Sequence, residues 1–197
     1  NNLLTPIMGY SILVLEQLPS DAEELYDNVL EIYNSSRKAK EIIARLSDLS
    51  RKNTSLTFQY VSPDELVRKV LAVASPARPP HVEVRTDLAC RHLWLRGNEI
   101  QLSQMLLNLI LNAYHAMEPG GGTLTVATRP EGEFLCFQVS DTGSGISPEV
   151  LPHIFEPFFT TKERGKGTGL GLAIVRQVME EHKGTIAIDT APGRGTT

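Results

Sequence analysis

Asn108-Leu109-Ile110-Leu111-Asn112-Ala113, Asp141-Thr142-Gly143-Ser144-Gly145 and Gly165-Lys166-Gly167-Thr168-Gly169-Leu170-Gly171-Leu172 decide the reading of this chain. The first lies on a predicted helix, the second comes after a predicted strand, and the third opens another helix. Asn108 and Asn112 are four residues apart, so they share one helix face and reach a metal and phosphates together. Asp141 is an acceptor beside two glycines, suited to reading a base amino group where backbone must come close. The third segment has the glycines and the free helix N-terminus that phosphate binding needs. Each alone has a plainer reading as a turn, a hairpin or a satisfied helical asparagine. Their order and spacing together point to one nucleotide site.

The composition around these segments is that of an ordinary globular chain. Its 197 residues hold one domain, or one domain plus a helical appendage. A formal charge of −4 makes no electrostatic case for nucleic acid or anionic lipid. No apolar run approaches membrane-spanning length. Cys90 and Cys136 lack metal-ligand spacing and are expected as buried free thiols in a reducing compartment.

Residues 1–18 are expected as a helix, with Leu3, Leu4, Ile7, Val14 and Leu18 at helical spacing. Pro19-Ser20-Asp21 breaks it and supplies capping chemistry for a second helix over 22–52. There Leu25, Val29, Ile32, Ser36, Ala39, Ile43 and Leu46 step by alternating fours and threes, a seam of coiled-coil type. Such a hairpin cannot bury its stripe alone. Pairing with another copy into a four-helix bundle is one solution, and packing on the chain's own globular domain is the other.

After a linker at Asn53-Thr54-Ser55 the pattern predicts a strand over 56–61 and a helix over 63–74 with proline in its first turn. Strands are expected over 82–88 and 92–95. A long helix over 98–117 comes next, with the apolar face Leu102, Met105, Leu106, Leu109 and Ala113, stopped by Pro119-Gly120-Gly121-Gly122. A hairpin over 123–128 and 134–139, a helix over 168–181 and a strand over 185–189 complete the chain. Helices on one face of a mixed sheet are the expected architecture.

The segments resemble the catalytic core of two-component sensor histidine kinases, whose ATP-binding fold is shared with the gyrase, Hsp90 and MutL ATPases. Residues 108–117 resemble the N box and 141–145 the G1 box. Phe155-Glu156-Pro157-Phe158-Phe159-Thr160-Thr161-Lys162 resembles the F box and 165–172 the G2 box. Gly193-Arg194-Gly195-Thr196-Thr197 resembles the beginning of the last glycine motif. The resemblance covers nearly the whole chain. It implies an α+β fold in two parts. Residues 1–53 would be an incomplete dimerisation and phosphotransfer hairpin, half of a dimeric four-helix bundle. Residues 54–197 would be an ATP-binding domain of Bergerat type, a two-layer α/β sandwich on a mixed sheet, without its final strand.

The resemblance also implies ATP and Mg2+ as cofactors, with Asn112 the metal ligand and Asn108 an accessory phosphate or ligand-orienting contact. Asp141 would accept from the adenine amino group, with Gly143, Gly145 and Ile146 beside it; guanine carries a carbonyl at the matching position. His115 falls near the phosphates in this reading or is simply surface-exposed, and Gln104 is either a supporting residue or a solvated one. The stretch 155–167 would be a lid, anchored by Phe155, Phe158 and Phe159 and freed by Gly165 and Gly167. Spacing leaves Lys162 and Lys166 as alternatives for the γ-phosphate. Thr168, Gly169, Leu170 and Gly171 would deliver N–H groups to the phosphates, with Leu172 next in the helix.

The reaction implied is transfer of the γ-phosphoryl group to a histidine imidazole, then to an aspartate of a response-regulator partner. The implied partners are a second copy of the chain and that receiver. This portion would be cytoplasmic, with any membrane anchor in other parts. His81, His92, His115, His153 and His182 all lie outside the N-terminal hairpin. Asn1-Asn2-Leu3-Leu4-Thr5-Pro6-Ile7 resembles the stretch just after the family's phosphoacceptor histidine. That alignment puts the acceptor three residues before Asn1. Asn2 then lies one helical turn beyond it, where the family can orient water for dephosphorylating the regulator; a polar residue in a first turn is the plainer reading. With Asn1 at one end and a glycine motif at the other, the chain is expected to be a piece of a longer protein, binding ATP without labelling itself. A serine kinase or a conformational ATPase on the same nucleotide fold are the alternatives.

Overall fold

The computed structural model describes residues 4–19, 22–50, 57–118, 120–162 and 167–197, with the backbone alone over 38–50. The readings placed on Asn2, on Ser20-Asp21, on the linker at 53–55, on Pro119 and on Gly165 and Lys166 lie outside these residues. Contacts divide the chain into two compact units, Asn1–Thr54 with Lys162–Thr168, and Ser55–Thr161 with Gly169–Thr197. No helix among the described residues is long and apolar enough to cross a membrane.

The first unit is built on two helices that pack together, α1 (Leu4–Gln17) and α2 (Glu23–Ser50). Glu23 and Glu24 sit in the first turn of α2, where a carboxylate is favoured by the helix dipole. Much of the apolar surface of these helices stays in solvent. Leu25 and Ile32 of the heptad seam are 51% and 52% exposed, and Ile7, Tyr10, Ile12, Leu13, Val14 and Tyr26 are exposed as well. Among the described side chains of these helices, the buried ones are Ser11 and Ser36, both small and polar. Ser11 answers its own burial by donating to the Ile7 carbonyl at 2.8 Å.

The second unit opens with β1 (Gln59–Val61) and α3 (Pro63–Ala74). Ser62 is extended, Pro63 takes the first helical position, and Asp64 and Glu65 sit in the first turn, three signals that start the helix where it starts. Next come β2 (Val82–Leu88), β3 (Leu95–Gly97) and α4 (Glu99–Met117). Asn98 caps α4, its Oδ1 accepting the Gln101 N–H at 3.1 Å. β4 (Gly122–Glu131) and β5 (Phe134–Asp141) form an antiparallel hairpin. After it come α5 (Gly171–Glu181) and two short strands, β6 (Thr190–Ala191) and β7 (Gly195–Thr196).

The main sheet is mixed, in the order β2-β4-β5-β7-β6, with β2 parallel to β4 and the other pairs antiparallel. β1 and β3 form a separate antiparallel pair. α4 packs against β4 and β5, with α3 and α5 against its sides. Leu66 and Val67 from α3, Leu106 and Ile110 from α4, Leu124 and Val126 from β4, and Ile174 and Val178 from α5 fill the core between. Full burial of each large aliphatic side chain contributes about 1.5–3 kcal/mol. Beneath α3 lies one buried polar knot. Asp64 Oδ1 accepts from the Thr128 hydroxyl at 2.6 Å and from the Cys90 N–H at 3.2 Å, joining α3, the β2–β3 connection and β4. Cys90 is buried, Cys136 half-buried, and both are free thiols.

The structure departs from the sequence expectations at several places. The buried face of α4 includes Ile110, whereas Leu109 is half-exposed, because α3 and α5 as well as the sheet cover α4. The strand expected over 92–95 lies at Leu95–Gly97, since residues 91–92 form a turn. The helix expected from 168 begins at Gly171. Residues 185–189 alternate like a strand, but of them Asp189 alone closes a ladder, exchanging bonds with Thr197 at 3.0 and 2.8 Å. A strand is defined by its neighbour, and periodicity does not supply one.

Candidate functional site

α4 and α5 place the amides and the phosphate-binding turn side by side. Asn108 and Asn112 share a face of α4, both half-buried. The Nδ2 group of Asn108 is buried and has no hydrogen-bond partner among the described residues. Gly171, the first residue of α5, lies next to it: a Cβ built there would be 3.7 Å from Asn108 Cγ and Oδ1. The start of α5 carries no side-chain cap, because Leu170 stands at the capping position and is wholly buried. Its first N–H groups therefore receive nothing from the capping side chain. An unpartnered amide donor beside an uncapped helix start is a concentration of donors suited to an anion.

Asp141 ends β5, the central strand of the main sheet. Its Oδ1 accepts the Gly143 N–H at 2.8 Å, which turns the chain sharply after the strand. Burial pushes the Asp141 carboxyl above the ordinary carboxylate range, while the N–H groups of Gly143 and Thr196 pull it back down. The turn lies directly on the last turn of α4. Ser144 N–H donates to the Ala116 carbonyl at 3.1 Å, and a Cβ on Gly143 would lie 2.6 Å from that oxygen.

A second clamp comes from β6 and β7. Gly193 N–H donates to Ser144 O at 2.7 Å and Ile146 N–H to Thr190 Oγ1 at 3.0 Å. Gly145 takes φ +66, and a Cβ there would meet the Ala191 carbonyl oxygen at 2.0 Å. Glycine is required at this position both by backbone conformation and by space. The loop carrying Asp141 is thus held from both sides, which fixes an acceptor rather than leaving it on a mobile turn.

Within the second unit, backbone joins the segment over 155–161 to the residue before Leu170. Phe158 N–H donates to Gly169 O at 2.9 Å, with Phe158 at φ +70 and Gly169 at φ +65. Of the three aromatics expected as anchors, Phe155 and Phe159 are half-buried, with Phe159 against the His153 ring at 5.6 Å, whereas Phe158 is 58% exposed. Ile154 is the buried anchor. A sequence scan for aromatics passes over both Ile154 and a neck made of two left-handed residues.

The second unit carries Asn108, Asn112, Asp141, Gly143, Gly145, Ile146, Gly169, Leu170, Gly171 and Leu172, with Asn108 beside Gly171 and the Asp141 loop on the end of α4. Lys162, Gly167 and Thr168 group with the first unit, each half-buried. His115 is exposed on the last turn of α4 and Gln104 is half-buried. A surface cavity of about 580 Å³, lined by Thr57, Phe58, Arg96, Glu181, His182 and Lys183, opens at the other ends of α4 and α5. It holds none of the expected nucleotide residues. Sequence reasoning also missed His182, whose ring joins the ends of α4 and α5; a single histidine carries no pattern that would have marked it.

The Histidine kinase-, DNA gyrase B-, and HSP90-like ATPase family matches residues 97–197. Sensor kinase CckA of Brucella abortus (strain 2308) is 34% identical over 214 residues, covering 100% of this chain and 22% of that protein. Sporulation kinase A of Bacillus subtilis (strain 168) is 32% identical over 196 residues, covering 99% and 31%. The crystal structure of full-length ShkA in complex with AMPPNP superposes with a TM-score of 0.75 at 27% identity, covering 99% of this chain and 42% of that one. The chain thus spans less than half the length of these relatives. The match of the family across α4, the Asp141 loop and α5, over half the chain, makes it a member of the Histidine kinase-, DNA gyrase B-, and HSP90-like ATPases, an ATP-binding family.

Proposed function

We propose that this chain is the catalytic core of a sensor histidine kinase, holding MgATP in its second unit for phosphoryl transfer to a histidine of the longer protein. The observation that carries this reading is the buried, unpartnered Nδ2 of Asn108 beside the uncapped start of α5. A buried donor without an acceptor is costly, and phosphate oxygens would satisfy it. Asn112, one turn further along α4, offers a neutral oxygen to Mg2+, an ion that keeps several waters and takes few protein ligands. Bound there, the ion would neutralise charge at the phosphates. Asp141 accepts from the adenine amino group, with Gly143, Gly145 and Ile146 shaping its loop. Gly169, Leu170, Gly171 and Leu172 present the helix start to the phosphates. His115 lies on the same helix end.

Transfer breaks the bond from Pγ to the β–γ bridging oxygen and forms a bond from Pγ to an imidazole nitrogen, releasing ADP. Catalysis of such a step is chiefly positioning and electrostatics. The acceptor histidine lies upstream of Asn1 in this reading, with Asn2 one turn beyond it, and the phosphoryl group passes on to an aspartate of a cytoplasmic response regulator. Residues 1–53 serve as the dimerisation hairpin and 54–197 as the ATP-binding domain. The exposed seam of Leu25 and Ile32, with Ile7, Tyr10 and Leu13, supports a homodimer formed through α1 and α2. The names of the relatives, sensor and sporulation kinases, and the AMPPNP complex of ShkA support the reaction class.

The test is labelling with γ-labelled ATP. The full-length protein should gain acid-labile phosphate and lose it to a receiver domain, whereas the 197-residue chain should bind ATP without labelling itself. Acid-stable phosphate, or steady ATP turnover with no labelled protein, would contradict the proposal.

A further inference from the structure

α4 and α5 run antiparallel, and the contacts at their two ends differ in kind. At one end Asn108 faces Gly171, where the nucleotide site is read. At the other end, ten residues or about 15 Å back along α4, the helices are joined through the ring of His182. His182 Nε2 accepts the backbone N–H of Asn98 at 3.0 Å, and its Nδ1 lies 2.8 Å from the Val178 carbonyl. The partners fix the tautomer, because an amide N–H can only donate and a carbonyl can only accept. Nδ1 therefore carries the proton and Nε2 is the bare acceptor.

The surroundings hold the ring in this pose. The Phe58 ring packs against it, tilted by 34° with centroids 4.9 Å apart, and a Cβ on Gly97 would lie 3.1 Å from His182 Cδ2 and Nε2. Asn98 is bound twice, since its side chain caps α4 while its N–H enters the His182 ring. Alongside, Glu181 accepts from Gln101 of α4 and, at 2.9 Å, from Gln177 of α5. The C-terminus of α5 is thereby tied to the cap of the helix that presents Asn108 and Asn112.

We infer that His182 is a positioning residue for the nucleotide site, clasping the cap of α4 to the end of α5 so that Asn108 and the start of α5 meet in one register. The inference rests on the nucleotide-site reading above. It goes beyond that reading by giving a function to a residue remote from the ligand. A helix pair moves as a rigid body, so slack at the clasped end appears as misalignment at the other.

The test uses the whole 197-residue chain and calorimetric titration with MgATP, well below the melting temperature. His182→Ala should weaken affinity about 5- to 10-fold, within the range of remote residues that modulate a site. His182→Gln, whose amide oxygen can replace Nε2 as acceptor, should return to within about twofold and restore the amide resonance of Asn98 that His182→Ala displaces. Val82→Ala, a core truncation on the far edge strand β2, should lower the melting temperature without changing affinity. Unchanged affinity in His182→Ala, failure of His182→Gln to rescue, or an equal loss in Val82→Ala would each overturn the clasp while leaving the nucleotide site standing. A wild-type chain that binds no nucleotide would remove the site itself, and the clasp with it.

Discussion

Replacing Asn108 with leucine separates what the candidate site costs from what it does. The Nδ2 group is buried without a partner, and a buried donor left unsatisfied costs about 1–3 kcal/mol. Leucine has similar bulk and no polar atom, and it ranks above asparagine as a helix former. Space is available, since even a Cβ on Gly171 would stand 3.7 Å from Asn108 Cγ. The nucleotide-free chain should therefore gain about 1 kcal/mol or more, a rise of about 3 °C in Tm for a chain of this size. Binding should move the other way. A hydrogen bond to a charged phosphate contributes about 1.5–3 kcal/mol, so the Kd for MgATP should rise roughly 10- to 150-fold. Differential scanning calorimetry without nucleotide and isothermal titration with MgATP, on one preparation, measure both effects. A fall in Tm with a Kd within threefold of wild type would instead make the amide structural.

Asp141→Asn should stabilise the nucleotide-free chain at neutral pH. Burial raises the Asp141 carboxyl, so folding takes up a proton there, and the penalty is full above the folded pKa and vanishes below the unfolded one. The advantage of Asp141→Asn in Tm should therefore shrink as pH falls through that raised range, and a constant difference would be the wrong result. Gly145→Ala places a methyl 2.0 Å from the Ala191 carbonyl oxygen at φ +66. It should cost at least about 2 kcal/mol in denaturant unfolding, about half of it from the left-handed backbone alone. Thr128→Val removes the hydroxyl that donates to buried Asp64 at 2.6 Å and should cost about 2–3 kcal/mol with no change in nucleotide affinity.

How much of this could be read from residues alone depended on the range of the forces involved. α3 and β2 fall where a proline at the first helical position and strict alternation place them. α4 starts where Asn98 caps it. These are local signals. The strand expected over 185–189 failed because a strand depends on a neighbour that is distant in sequence. Ile110 was missed from the core because helices on both sides of α4 widened its buried face beyond a single stripe. In the candidate site the asparagines, Asp141 and the glycines announced themselves by motif. The Phe158–Gly169 neck, the Thr190 clamp on Ile146 and the His182 clasp did not, because each joins residues many positions apart.

An acidic acceptor and a donor-rich helix pair in one unit should select magnesium-bound adenine nucleotide. Isothermal titration of the chain with ATP and with GTP, with and without Mg2+, tests it most directly. ATP should bind, GTP at least about tenfold more weakly because its carbonyl meets Asp141 instead of an amino group, and chelation of Mg2+ should weaken ATP binding. Equal affinity for ATP and GTP, or no heat of binding for either, would contradict the account.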